Sequence, residues 1–465
     1  MKIRTDISSP VSSGQSIRSS FSPVVAGRWL VLLLILAGLA PARAENSQLP
    51  SASSAADAAP SAIRVEVAAI HEDSEGLTLQ DCYRLALKRS ESVAIREEII
   101  NETKGQMMQS LSTALPRVAF AYSEKWQDAE GRRNVSGSEP EGKFTFTQPL
   151  FTGFKEIAAI RASKHVGQQR EEELKRARQL LFVDVSDAFF LYISYQEDEQ
   201  ALQDIHKALL DRLADLKKRE TIGKSRQSEL ASAEAKLSRN EAELETVRGE
   251  KEVAGQLLEF LLGRPVVRLL DIGDPDATVA VGDASSLADR RSDVLAAREA
   301  KESLKQNLFA TRSALWPSVS LTGNAYTKRP DGYESNDWDA TLTVSVPIFN
   351  GLYDYGQIRQ ARSQLIQADL AMEQARRVAV LEIRNAYSKW QTNGRRVTAL
   401  EKAMNAAERN FFLQIEDFQK NLVNNLDVLQ ALEDLQGVRR DYIAAKTDAR
   451  RSYWALKVAI GEVMQ

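Results

Sequence analysis

The chain has 465 residues, a formal net charge of -3, 27% charged residues, three histidines and one cysteine. A balance this close to neutral excludes general nucleic-acid binding by charge, and a single cysteine excludes an intramolecular disulfide. The histidines, His71, His165 and His206, lack metal-ligand spacing and no P-loop, GxSxG or zinc motif occurs, so neither catalysis nor a bound metal or cofactor is expected.

In chain order, Lys2, Arg4, Arg18 and Arg28 precede an apolar run from Trp29 to Leu39, and Pro41-Ala-Arg-Ala44 follows. This is the pattern of a secretory signal peptide over 1–44, cleaved after Ala44. The run is well short of the roughly 20 residues that span a bilayer as a helix. An early start codon would equally explain the long signal region and leaves export unchanged. Residues 45–76, rich in Ser, Ala and Pro, read as a flexible leader. Cys82 lies too far downstream to head a mature lipoprotein, so an exported chain without disulfides relies on packing or assembly.

From Leu77 to Leu115 the spacing predicts a helix capped by Thr78 and stopped by Pro116. A strand from Arg117 to Gln127, a loop from Asp128 to Gly142 and a strand from Lys143 to Gln148 form a hairpin. After Gly153 no proline occurs until Pro265, and apolar positions such as Leu174, Leu181, Val185, Ala188, Leu202, Leu209, Leu213 and Leu216 recur at heptad-like spacing to about Thr221. At 1.5 Å per residue that helix spans about 100 Å. Gly223 breaks it, and a charged helix from Ser228 to Leu262 returns alongside. Residues 77–263 are thus a first structural repeat, and 264–288 an irregular linker. The plan recurs over 289–465 with a helix from Arg291 to Leu315, strands Ser318–Thr327 and Trp338–Val346, a long helix from Gly351 to Gln419 and a last helix from Leu426 to Ile460.

The duplication is carried by a cassette. Pro149, Phe151 and Gly153 recur as Pro347, Phe349 and Gly351, and the same offset takes Arg161 to Arg359, Ala188 to Ala386, Glu229 to Asp427 and Gly263 to Gly461. Each cassette lies between an alternating strand and a long helix, where proline should end strand pairing and glycine should let the chain turn.

In the last strand Trp338, Ala340, Leu342, Val344 and Val346 alternate with Asp339, Thr341, Thr343 and Ser345, and Val118, Phe120, Tyr122, Phe144 and Phe146 occupy matching positions in the first hairpin. About ten residues of such alternation suits a transmembrane strand facing lipid on one side and a wet lumen on the other. Trp126, Trp338, Tyr122 and Tyr333 sit near strand ends, as interfacial aromatics do. A soluble sheet with one face on a core has the same period. Four strands cannot close a barrel and lipid does not tolerate open edges, so a membrane role requires several copies. The pair Met107-Met108 is explained better by a buried helix face than by soft-metal handling.

The chain resembles the TolC family of outer-membrane efflux and secretion proteins over about 77–461. The resemblance rests on Leu77-Thr-Leu-x-x-Cys-x-x-Leu-Ala-Leu87, Ala114-Leu-Pro116, the two Pro-x-Phe-x-Gly cassettes, Ala314-Leu-Trp-Pro317, Leu426-Asp-Val-Leu-x-Ala431 and Leu456-x-x-x-x-Gly461. It implies a mainly α fold with membrane β: a homotrimer whose long antiparallel hairpins form a periplasmic α-barrel and whose protomers each give four strands to one 12-stranded transmembrane β-barrel in outer-membrane lipid. The implied function is a passive exit duct, working with a periplasmic adaptor and an inner-membrane transporter, either ABC-type or proton-driven. The competing expectation is a soluble periplasmic coiled-coil scaffold.

By the same resemblance the turns joining long and returning helices form a periplasmic tip that docks the adaptor and narrows the pore. The docking residues would be Gly223, Lys224 and Ser225 in the first turn and Asn421, Leu422 and Val423 in the second. The constriction would be Asp427 with Glu229, and the barrel-to-tunnel junction Pro149, Phe151, Gly153, Pro347, Phe349 and Gly351. A tyrosine and an arginine that bond an acid at the tip of some members match Phe418, Val423 and Glu229 here, so that network cannot form as such. Asp427 and Glu229 also read as acids favourable at helix N-termini.

Overall fold

The computed structural model describes residues 76–126, 138–266, 268–271, 273, 282–329, 336–420 and 422–462. The signal region, most of the leader, Tyr333 and Asn421 lie outside the described residues. Helices α1 (Leu79–Arg89) and α2 (Glu91–Ser112) replace the single helix expected from Leu77. Ser90 is the reason. Its N–H closes α1 on the Ala86 carbonyl while its hydroxyl accepts from the Val93 N–H to open α2, so one residue caps two helices. Thr78 caps α1 as expected, in a reciprocal box with Asp81.

Strands β1 (Arg117–Trp126) and β2 (Ser138–Phe151) lead into α3 (Lys155–Thr221), a helix of 67 residues and about 100 Å. Its return is α4 (Gln227–Leu262). The linker, expected to be irregular, carries a short helix, α5 (Ala284–Ala288), capped by the Asp283 carboxylate. It also carries Leu269, which forms a parallel bridge to Leu77. The second series is α6 (Ser292–Arg312) with a 3-10 turn at Ser313–Leu315, β3 (Ser318–Lys328), β4 (Trp338–Ser345), α7 (Tyr353–Gln419) and α8 (Asn425–Ala459).

The periodic residues of α3 do what their spacing demands. Leu174, Leu181, Val185, Ala188, Leu202, Leu209, Leu213 and Leu216 are all buried. Around the middle of α3, Phe182 is enclosed with its ring 5.1 Å from Tyr83 and 5.3 Å from Trp454, both edge-on. This cluster joins α1, α3, the end of α4 (Leu258, Leu262) and the end of α8 (Trp454, Val458). A second cluster, nearer the turn, packs Ile205, Leu209, Leu213 and Leu216 against Ala233 of α4 and Leu429 and Leu432 of α8. Met107 and Met108, expected on a buried face, are instead exposed on α2 with Leu111, and Leu115 just beyond the helix is exposed too. Among the described residues nothing covers that stripe.

The four strands form one antiparallel sheet in the order β1-β2-β3-β4. Strand β2 is longer than its alternation suggested and runs through Pro149, which pairs with Ser320 beside a register shift before Phe151. Beyond Thr147 only β3 pairs with β2, so the missing proline N–H costs no bond to β1, and the register shift before Phe151 is where the ladder to β3 adjusts. The expectation that proline ends pairing therefore fails at the first cassette. At the second, β4 does stop at Ser345, before Pro347. No described helix is long and apolar enough to cross a membrane.

One buried cation orders the start of α6. Arg291 is 1% exposed and donates at 3.0 and 2.6 Å to Asp293 and at 2.6 Å to Glu382 of α7. Burial pushes the Asp293 carboxyl up, but its bond to Arg291, the charges of Arg291 and Arg176 and the Val294 N–H outweigh this and hold it below its ordinary value. Arg291→Met should cost about 2 kcal/mol, less than the roughly 3–5 of a fully buried pair because the acids are part exposed. A depressed carboxylate stabilises above its unfolded value, so the gap between wild type and variant in thermal unfolding should persist at neutral pH and close below about pH 4. The Cys82 thiol is pushed up to about 12, first by burial and then by Asp81. A maleimide at pH 7.5 should leave the folded protein unlabelled and modify it one-to-one in denaturant, as read by mass spectrometry.

Candidate functional site

The register of the sheet sorts its side chains into two faces. Ala119, Thr145, Asn324 and Asp339 lie in one row across all four strands, and Arg117, Thr147, Thr322 and Thr341 in the next row of that face. The first row is bonded laterally: Thr145 Oγ1 donates to Asn324 Oδ1 at 2.9 Å, and Asn324 Nδ2 to Asp339 Oδ1 at 2.9 Å. The Tyr326 hydroxyl donates to the other Asp339 oxygen at 2.6 Å. The opposite face reads Val118, Phe146, Gly323, Ala340 in one row and Phe120, Phe144, Ala325, Trp338 in another. Val118, Phe120, Tyr122, Trp126, Trp338, Leu342 and Val344 on it are exposed. Among the described residues β1 pairs only with β2 and β4 only with β3, so both outer edges are open.

Each cassette connects a strand to a long helix through two successive left-handed residues. Gly153 and Phe154 have φ of 66 and 64°, and Gly351 and Leu352 have 56 and 66°. A Cβ at Gly153 would lie 2.9 Å from the Trp316 Cβ and 3.0 Å from that of Ser313, so the first glycine is required by space as well as by φ. Gly351 has open space around it and is required by φ alone. Phe151 meets Phe154 edge-on at 5.3 Å, whereas Phe349 is 80% exposed. The two copies thus share backbone but not packing.

At the far end of the hairpins Gly223 (φ 70°) turns the chain, with its N–H and that of Lys224 closing on Glu220 and Arg219 carbonyls. Lys224 is exposed, Leu422 is exposed and Val423 is half-buried. Glu229, in the first turn of α4, accepts from the Ser225 hydroxyl at 2.9 Å. Asp427 accepts from the Asn424 N–H at 3.0 Å and completes a capping box on α8. Each acid serves its own helix start, and no hydrogen bond joins them within the protomer.

Three residues that the sequence did not single out organise this end. The guanidinium of Arg212 stacks on Phe418 at 3.7 Å from the ring centre, and that of Arg219 at 4.5 Å. Arg212 Nε also donates to Asn425 Oδ1 at 2.7 Å. Burial lowers the Arg212 guanidinium from its ordinary value. The available signal was a pair of arginines seven residues apart, hence on one side of α3, in its last turns.

Residues 82–264 and 284–462 match the family model described as outer membrane efflux protein. The chain is 26% identical over 369 residues to the outer membrane efflux protein BepC of Brucella suis, covering 74% of this chain and 79% of that one. It is 20% identical over 422 residues to the alkaline protease secretion protein AprF of Pseudomonas aeruginosa, covering 84% and 86%. Against the efflux proteins SrpC and TtgI of Pseudomonas putida and OprJ of Pseudomonas aeruginosa the matched part spans only 64%, 64% and 57% of their length. Its fold superimposes on a crystal structure of CusC with a TM-score of 0.76 at 17% identity, over 85% of this chain and 96% of that one. With the family model covering both hairpin-bearing halves, the chain belongs to the outer membrane efflux protein family, a TolC-like protein of the cell outer membrane whose helices extend into the periplasm.

Proposed function

We propose that the protein is the outer-membrane exit duct of a tripartite efflux or type I secretion system and conducts its cargo passively. The observation that carries this is the sheet: four strands, one hydroxylated and charged face, one exposed aromatic face and two open edges. An exposed apolar surface of this kind is unstable in water, and open edges are unstable in lipid. Three copies joined β4 to β1 remove both problems, giving twelve strands with the Thr145-Asn324-Asp339 row lining a wet lumen. The helices raise the same demand, because Met108 and Leu111 on α2, Leu115 just after it, and Ile366, Leu370, Val378 and Leu381 on α7 are exposed apolar side chains that nothing among the described residues covers.

In this arrangement the two cassettes sit where barrel meets tunnel, and the turns bearing Gly223, Lys224, Ser225, Asn421, Leu422 and Val423 face a periplasmic adaptor. Energy and cargo choice belong to an inner-membrane transporter. Relatives from both efflux and protease secretion are compatible with either cargo class. The mature protein should sediment with outer membranes and run in mild detergent as an oligomer that heating converts to a faster or slower monomer band. Recovery in the soluble periplasmic fraction without detergent would refute the duct.

Three copies of Asp427 around a narrow axis would attract cations. Asp427→Asn keeps an oxygen to cap α8 while removing the charge, so the hairpin should survive. The variant should weaken divalent-cation block of single-channel current in planar bilayers by about tenfold, equivalent to about 1.4 kcal/mol. Unchanged block would remove Asp427 from the constriction.

A further inference from the structure

Joining copies edge to edge leaves one apolar patch unexplained. Helices α2, α3, α6 and α7 pack side by side in that order, so α3 and α6 already have a neighbour on each flank, and further copies can add only beyond α2 and α7. Yet Phe154 and Ile157 at the start of α3 and Phe309 near the end of α6 are 51%, 46% and 51% exposed. They lie on a broad face of the helix layer, not at its edge. With Leu365 of α7 they line a groove of about 690 Å³, a size that ordinarily holds a small molecule.

The register of the sheet tells which face this is. After the shift beyond Pro149, Phe151 pairs with Val319 and Val319 with Val344, which places Phe151 in the last paired row of the apolar face that carries Leu342 and Trp338. Phe151 in turn meets Phe154 edge-on at 5.3 Å. The groove is therefore continuous with the side of the sheet that would face lipid, not with the row of Thr145, Asn324 and Asp339. Its remaining border is cationic: Arg161, Lys305 and Arg312 line it and no carboxylate does. Lys305 pairs with Glu302 at 2.9 Å, but neither Arg161 nor Arg312 has a side-chain hydrogen bond or ion pair among the described residues. Two turns of helix separate Arg161 from Phe154 and Lys305 from Arg312, so the groove runs about 10 Å away from the sheet, with cations at both ends and apolar side chains between.

We propose that this groove holds an anionic phospholipid of the periplasm-facing leaflet, one per protomer, with its phosphate taken by Arg161, Lys305 and Arg312 and its acyl chains laid over Phe309, Ile157 and Phe154 toward the sheet. Cations without facing acids suit a phosphate, and basic pockets between helices at a membrane boundary suit lipid headgroups. A free anion would use the cations and leave the apolar wall wet. Lipid held there fixes the depth at which the sheet sits, because it ties the leaflet to the point where strand gives way to helix. The second cassette lacks the groove. The offset that carries Phe154 to Leu352 takes Arg161 to Arg359 on α7, but aligning Ala114-Leu with Ala314-Leu puts Gly105, Gln109 and Ser112 of α2 where α6 has Lys305, Phe309 and Arg312. The proposal rests on the reading that the sheet crosses the membrane.

The test is native mass spectrometry of the full-length protein in mild detergent with added dioleoylphosphatidylglycerol, dioleoylphosphatidylcholine or glycerol phosphate. Wild type should retain phosphatidylglycerol, up to one molecule per protomer and in preference to phosphatidylcholine, and excess glycerol phosphate should not displace it. Arg161→Gln combined with Arg312→Gln should weaken retention about tenfold, as should Phe309→Ser. Arg359→Gln, at the corresponding position of α7, should behave as wild type. All four side chains are exposed, so the variants should fold. Unchanged retention in the double variant, or equal loss in Arg359→Gln, would overturn the site. Displacement by glycerol phosphate, or a silent Phe309→Ser, would overturn lipid as its occupant. Conductance in planar bilayers is read on the same preparations: current without lipid retention refutes the groove alone, and retention by a protein that carries no current supports the groove and refutes the duct.

Discussion

The apolar seam along α3 is the constraint on which the rest depends. Helices α1, α2, α4, α6 and α8 all pack against this one helix, and its buried positions run from Ala158 to Leu216. A helix of 67 residues exceeds what intrinsic propensity sustains alone, so burial of one side along its whole length is what keeps it continuous. The seam is narrow, which leaves the other side of the helix polar and gives a rod that must be flanked laterally. Duplication supplies the flank. Helix α8, from the second half, lies on α3 through Leu429 and Leu432 near the turn and through Trp454 and Val458 near the middle.

Charge works between these rods rather than at their core. Arg440 meets Asp198 at 2.9 Å, Arg451 meets Asp187 at 2.8 Å and Lys446 meets Glu197 at 3.4 Å, a series along the α3–α8 boundary. Lys236 and Arg239 of α4 reach Glu433 of α8 in the same way. Each half-exposed pair stabilises by roughly 1 kcal/mol or less, so the series selects register and direction more than it adds stability. Toward the turns this changes character. There Arg212 and Arg219 of the first half, both beside Asp215, meet a neutral ring, Phe418, of the second half.

The long helices were legible because a proline-free heptad repeat has few other solutions, and the faces of the sheet were legible because alternation has a fixed period of two. Other features were not. The break at Ser90 depends on one hydroxyl choosing a backbone N–H over solvent, which local spacing does not reveal. The extent of β2 depends on having β1 and β3 on either side, and alternation reports a face, not a hydrogen-bond partner. Met107 and Met108 read as core residues because apolar side chains usually are, yet in one protomer they face outward. The acids at the turns were visible, but their capping bonds to Asn424 and Ser225 were only one of two readings the sequence allowed.

By itself the sequence determined the repeat, the lengths of the hairpins, the two-faced strands and the need for more than one copy, because each follows from a local period or from an imbalance that a single chain cannot satisfy. Only the tertiary structure decided which residues hold the hairpins together at their ends. Arg212 and Asn425 are 213 positions apart, and arginine on a charged helix looks like solvated surface until the fold lays an aromatic ring and a buried amide beside it. The physical reason is that a cation's environment is set by what packs over it, and here the ring and the amide both come from the other half of the chain.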